Sequence, residues 1–124
     1  MTAVPGPRTV PGPVVGATTA MRVDVEGAGE DLVVVVSGEV DSMTAPGLRE
    51  SLAEVLARPG AVRVVVDLAA VTFLDSAGLC ALAAAHRDVR STGRTLLLRA
   101  GDNRAVLRPL QITGLWDVLG HTAD

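Results

Sequence analysis

The chain has 124 residues, enough for one domain around one core. Of these, 48% are apolar, so the sequence is built to fold, yet Phe73 and Trp116 are its only aromatics, which makes the core aliphatic and leaves little for stacking on single-stranded nucleic acid. The net charge is −3, all eleven basic residues are Arg without a dense patch, and the one cysteine, Cys80, excludes an internal disulfide and a Cys-rich metal site; this disfavours direct nucleic-acid binding and fits a reducing cytoplasm.

Residues 1–20 are rich in Pro, Gly and Thr, and read as a flexible tail. Their apolar residues are broken by Pro5, Pro7, Pro11 and Pro13, which argues against a secretory signal. No apolar run approaches the roughly 18–20 residues of a membrane span, so no membrane association is expected. The domain is expected over 21–124.

"MRVDVEG" alternates apolar and polar residues, the period of a half-exposed strand, and "GAGED" is a turn. "LVVVVSGEV" is a continuous β-branched run, the pattern of a strand buried on both faces. Asp41 and Ser42 follow it. Thr44 can cap a helix that carries Pro46 in its first turn and Leu48, Leu52, Val55 and Leu56 on one stripe. "AVRVVVDL" is a third strand, and a loop through Phe73 and Leu74 leads to Asp75 and Ser76. A helix from Ala77 to about Ser91 follows, then the strand "TLLLRA". Asp102 or Asn103 can cap a further helix, which Pro109 should shorten or kink, and "TGLWDVLG" supplies a last helical turn.

The order β-β-α-β-α-β-α-α gives an α/β fold: a single domain with a small, mixed, mostly parallel sheet of about four strands packed by about four helices. Parallel strands end on one edge, so the loops carrying Asp41–Ser42, Asp75–Ser76 and Asp102–Asn103 should gather there. None of these loops contains Lys, Arg or His.

Ser76 has two readings. As an N-cap, its oxygen accepts a first-turn N–H; as a phosphate acceptor, it sits where a helix N-terminus favours an anion, with Ala77 and Gly78 leaving the backbone open. Catalysis is disfavoured, because His86 lies roughly 15 Å along the same helix at 1.5 Å per residue, and Asp75 is a weak base. A metal-assisted aspartyl-phosphate site would need paired carboxylates and a Lys, and a nucleotide site a Gly-rich loop with Lys; neither is present, so no metal and no cofactor are expected. The helix after Ser76 begins "AGLCALAAAH", uncharged for ten residues. Cys80, Ala81 and Ala84 form a smooth apolar outer face that suits a partner, although Ala is also simply a good helix former.

Three segments in order, "VSGEVDSMTAPGLRESL", "VVVDLAAVTFLDSAGL" and "AVLRPLQITGLWDVL", resemble the STAS domains of bacterial anti-sigma factor antagonists over roughly residues 21 to 120. The resemblance implies a switch protein and not an enzyme. Ser76 matches the serine that the family's kinase, itself an anti-sigma factor, phosphorylates; Asp41 and Asp75 match the flanking aspartates. The unphosphorylated antagonist binds the kinase and releases the sigma factor, and a PP2C-type phosphatase resets the phosphorylated form. Cys80, where glycine is frequent, Pro109 and the Pro-rich tail depart from the family pattern. The alternative is a constitutive STAS scaffold subunit, such as one in a lipid-transport ATPase, in which Ser76 would be only a cap.

Overall fold

The computed structural model describes residues 8–9 and 21–122. The expected tail, 1–20, lies outside the described residues except for Arg8–Thr9, which form a short strand, β1. The remaining strands are β2 (Met21–Ala28), β3 (Asp31–Val40), β4 (Arg63–Leu74) and β5 (Thr95–Arg99). The helices are α1 (Ala45–Leu56), α2 (Ser76–Arg90), α3 (Arg104–Ile112) and α4 (Leu115–Leu119).

The five strands lie side by side in chain order. β1 with β2 and β2 with β3 are antiparallel; β3 with β4 and β4 with β5 are parallel, each of these pairs linked through a helix. The mixed α/β domain with four helices therefore stands as expected, with β1 an additional edge strand. The β2–β3 hairpin turns at Gly29, whose φ of +69° is left-handed backbone that suits glycine.

One aliphatic core holds the sheet to the helices. Val23 and Val25 of β2, Val34 and Val36 of β3, and Val64 and Val66 of β4 join Leu48 and Leu52 of α1, Leu82 of α2, Leu110 of α3 and Leu119 of α4 in a single cluster. All four helices thus cover one face. The opposite face has no described layer over it. It carries Val33 and Val35, both half-buried, beside Val65 and Leu97, with an Arg99–Asp67 ion pair of 2.8 Å across β4 and β5. The β-branched run of β3 is therefore buried on one face only; its other face is shielded by strand neighbours within the sheet.

β4 is longer than the sequence suggests. The expected loop through Phe73 and Leu74 is strand, paired with the end of β3 across two register shifts, between Val35 and Ser37 and between Gly38 and Glu39. A side chain from elsewhere steadies this irregular stretch. The Asn103 amide nitrogen donates to the carbonyls of Val71 (2.7 Å), Leu68 (2.9 Å) and Ala69 (3.2 Å), two N–H hydrogens shared among three acceptors. Its Oδ1 accepts the Ala105 N–H at 3.0 Å, so Asn103 is also the cap of α3. Pro109 does not break α3, which runs through it to Ile112.

The two outer edges of the sheet differ. Beside β5, the chain returns after α4: Leu98 N–H donates to Gly120 O (3.1 Å), Thr122 N–H donates to Leu98 O (2.9 Å), and His121 stacks on Trp116 with ring centroids 4.2 Å apart. Beside β2, the described cover is the two residues of β1.

Asn103→Ala should cost about 2 kcal/mol, because it removes a cap and the donor to three carbonyls. Asp102→Ala should stay within about 0.5 kcal/mol. Urea unfolding of the two variants checks this contrast.

Candidate functional site

The ends of β3 and β4 are paired, Val40 with Leu74, and the Asp75 N–H donates to Val40 O at 3.2 Å. The residues that follow, Asp41 and Asp75, therefore emerge from neighbouring strands, whose spacing is ~4.8 Å. The structure brings these two together with Ser76, as the sequence suggests. The third loop does not join them. β5 stops at Arg99 opposite Asp67, while β4 continues to Leu74, so Asp102 and Asn103 sit beside the middle of β4. The expectation of three gathered loops is corrected to two; unequal strand length is the reason.

The roles within "LDSAG" also change. Asp75 is the N-cap of α2: its Oδ1 accepts from Ala77 N–H (2.9 Å) and Gly78 N–H (3.2 Å). Ser76 is the first helical residue, it is exposed, and its hydroxyl makes no hydrogen bond among the described residues. The capping role for Ser76 is thus overturned, because the carboxylate one residue earlier already accepts from the Ala77 and Gly78 N–H groups. Those donors are equally unavailable to a phosphate on Ser76 unless Asp75 moves.

Asp41 is held in a turn of its own. Its Oδ1 accepts from Met43 N–H (2.9 Å) and Thr44 N–H (3.1 Å). Thr44 Oγ1 accepts the Asp41 N–H and donates to Glu39 O, both at 2.9 Å. Thr44 stands at the N-cap position of α1, but its side chain serves this turn and not the helix donors.

Gly78 does not open the backbone to a partner. It is buried, and a Cβ there would collide with Leu74 Cδ1 and lie 2.8 Å from Val40 Cγ1. The glycine lets α2 start directly against the ends of β3 and β4. Ala77 is half-buried. Ala81 and Ala84 are each only 4% exposed, so they are not part of an outer face. Small buried side chains let α2 pack closely on its neighbouring elements, which is why the helix needs no charges there. Cys80 alone of that trio is exposed, one turn along from Ser76. His86 lies further down α2, where burial, and then Arg90, lowers its pKa below the usual histidine value.

Sequence reasoning missed two residues at this edge. Met43, in the turn after β3, is 83% exposed, and Phe73, paired with Glu39 near the end of β4, is 49% exposed. Phe73 carried a signal: it is one of two aromatics in an aliphatic chain, placed just before the conspicuous Asp-Ser. The exposed rim thus combines the Asp41 and Asp75 carboxylates, a free hydroxyl and large apolar side chains. Among the described residues no cluster of His, Cys, Asp and Glu could hold a metal, and no helix is long and apolar enough to cross a membrane.

The model of the STAS domain matches residues 22–124. The chain belongs to the STAS domain family. An anti-sigma-B factor antagonist of Bacillus subtilis is 32% identical over 103 residues, which span 83% of this chain and 92% of the relative. The solved structure of an anti-sigma factor antagonist from Mycobacterium paratuberculosis, 34% identical, aligns with a TM-score of 0.72 over 89% of this chain and 92% of that one. The Bacillus cell fate determinant SpoIIAA, solved in its phosphorylated form, shares the STAS fold at 16% identity, with a TM-score of 0.60 over 82% of this chain and 92% of its own.

For this STAS domain the cap assignment makes opposite predictions for adjacent residues. Asp75→Ala should lower stability by about 1 kcal/mol, and Ser76→Ala should leave it within about 0.5 kcal/mol, in urea unfolding. Gly78→Ala should cost about 2 kcal/mol through overpacking against Val40 and Leu74, read in the same assay.

Proposed function

We propose that this chain is an anti-sigma factor antagonist, switched by phosphorylation of Ser76. In this reading the unphosphorylated form binds a serine kinase that is also an anti-sigma factor, and the sigma factor is released. Phosphorylation ends that binding, and a PP2C-type phosphatase restores it. The chain works in the cytoplasm and performs no catalysis of its own. The names of its relatives favour this over a constitutive scaffold subunit.

The observation that carries the reading is the state of Ser76: exposed, at the first position of α2, with a hydroxyl that no neighbour among the described residues engages. A kinase can reach it without disturbing the fold. Its surroundings make modification consequential. Phosphate brings about −1.5 to −2 charge. The Ala77 and Gly78 N–H groups are taken by Asp75, and the turns 41–44 and 72–77 hold no Lys, Arg or His to neutralise it. At roughly 7 Å and an effective dielectric of ~40, a dianion and one carboxylate repel by ~2 kcal/mol. Salt reduces this at an exposed site, but ~1.4 kcal/mol already changes an affinity tenfold. Exposed Met43, Phe73 and Cys80 supply apolar contact around the switch, where added charge and bulk are most costly to a partner.

The test is incubation with a cognate anti-sigma factor kinase and Mg-ATP, followed by intact-mass and peptide mapping. One phosphate on the peptide containing Ser76 is expected. Ser76→Ala should abolish it and retain kinase binding, and Ser76→Glu should weaken binding about tenfold. Stoichiometric labelling of the Ser76→Ala protein would refute the assignment.

A further inference from the structure

A cleft of about 240 Å³ lies between α1 and α2. Its floor is aliphatic and buried: Leu56 of α1 with Ala85 and Val89 of α2. The walls stay apart because Ala53, Ala57 and Ala85 are too short to meet across the space. Asp88, at its rim, is roughly 18 Å along α2 from Ser76 at 1.5 Å per residue, so the cleft is separate from the Ser76 edge.

Two opposite charges flank this floor. Arg49 stands on the α1 wall and Asp88 on the α2 wall, and both are exposed. They do not pair with each other, and among the described residues neither side chain has an ion-pair or hydrogen-bond partner. The remaining polar group, the Thr92 hydroxyl, is engaged: it donates to Val89 O at 2.7 Å and accepts the Arg94 N–H at 3.3 Å. Recognition therefore falls to one guanidinium, one carboxylate and an aliphatic floor. A ligand that satisfies all three has an aliphatic body, a carboxylate for Arg49 and an ammonium group for Asp88. That is the chemistry of an aliphatic α-amino acid. Both rim side chains are unengaged, so they can converge on the two groups that one carbon carries. The volume lies below the roughly 300–1,000 Å³ of sites for larger ligands, which limits the occupant to this size. A nucleotide would bring phosphate against Asp88 and find no aromatic side chain lining the cleft. A fatty acid would leave Asp88 unmatched.

We propose that the cleft between α1 and α2 binds a free aliphatic α-amino acid, with its carboxylate on Arg49, its ammonium group on Asp88 and its side chain over Leu56, Ala85 and Val89. This inference stands independently of the function of Ser76.

The test titrates the isotope-labelled full chain with L-leucine and L-methionine and follows the backbone amide resonances. Saturable shifts at residues 49–57 and 85–92, with a Kd on the order of a millimolar or tighter, are expected for at least one of the two. Glycine lacks the aliphatic body, isocaproate the ammonium group and isoamylamine the carboxylate; each should bind about tenfold more weakly or worse. Ala53→Leu fills the cleft from an exposed position and should abolish binding while amides elsewhere keep their positions. Arg49→Gln and Asp88→Asn should each weaken binding about tenfold, and on the Arg49→Gln chain L-leucine should bind no better than isoamylamine. No shifts in the cleft up to about 10 mM of either amino acid, shifts confined to other surfaces, or binding indifferent to Ala53→Leu or to either charge variant would each overturn the proposal.

Discussion

The close approach of α2 to the ends of β3 and β4 is the constraint on which the site depends. Gly78 makes it possible, because any side chain there would meet Leu74 and Val40. The Asp75 N–H bond to Val40 O and the Asp75 carboxylate on the first-turn donors then fix where the helix begins. Once that start is fixed, the next residue has nowhere to turn but outward. Ser76 is exposed while its neighbours on both sides are engaged: Asp75 in capping, and Ala77 and Gly78 in donating to the Asp75 carboxylate. The motif is a packing solution first, and its free hydroxyl is a consequence of that packing.

The electrostatics follow from the same geometry. Paired strand ends bring Asp41 beside Asp75, and each carboxylate is already committed to backbone N–H groups of its own turn. A new anion at this edge therefore adds to existing charge instead of finding a prepared cradle. That distinguishes the site from an ordinary anion-binding helix N-terminus, where the donors are vacant. Met43 and Phe73 complete a rim in which apolar contact and negative charge are interleaved. Such a rim can be tight toward one charge state of a partner surface and weak toward another.

The one-sided distribution of helices shapes the rest of the molecule. Because a single core cluster ties all four helices to one face, the sheet keeps an outer face held by in-plane neighbours and the Arg99–Asp67 pair. Asn103, far from Ser76 in sequence, contributes through β4, where its amide gathers the carbonyls of an irregular stretch that leads to the site.

The sequence by itself determined the element order, the mixed α/β class, the apolar stripe of α1 and the placing of Asp41 and of Asp75–Ser76 at the ends of two strands, since periodicity and local turn chemistry are properties of neighbouring residues. It could not assign the cap between two adjacent capping residues: Asp and Ser are both good at that task, and only the course of the backbone out of β4 chose Asp75. It could not tell an alanine on an outer face from one packed against other elements, so Ala81 and Ala84 seemed exposed although each is only 4% exposed in the fold. Nor could it separate a strand buried on both faces from one shielded by strand neighbours, or know that β4 outruns β5 and leaves Asp102 and Asn103 away from Ser76. Each of these depends on contacts between segments distant in the chain, and those exist only in the tertiary structure.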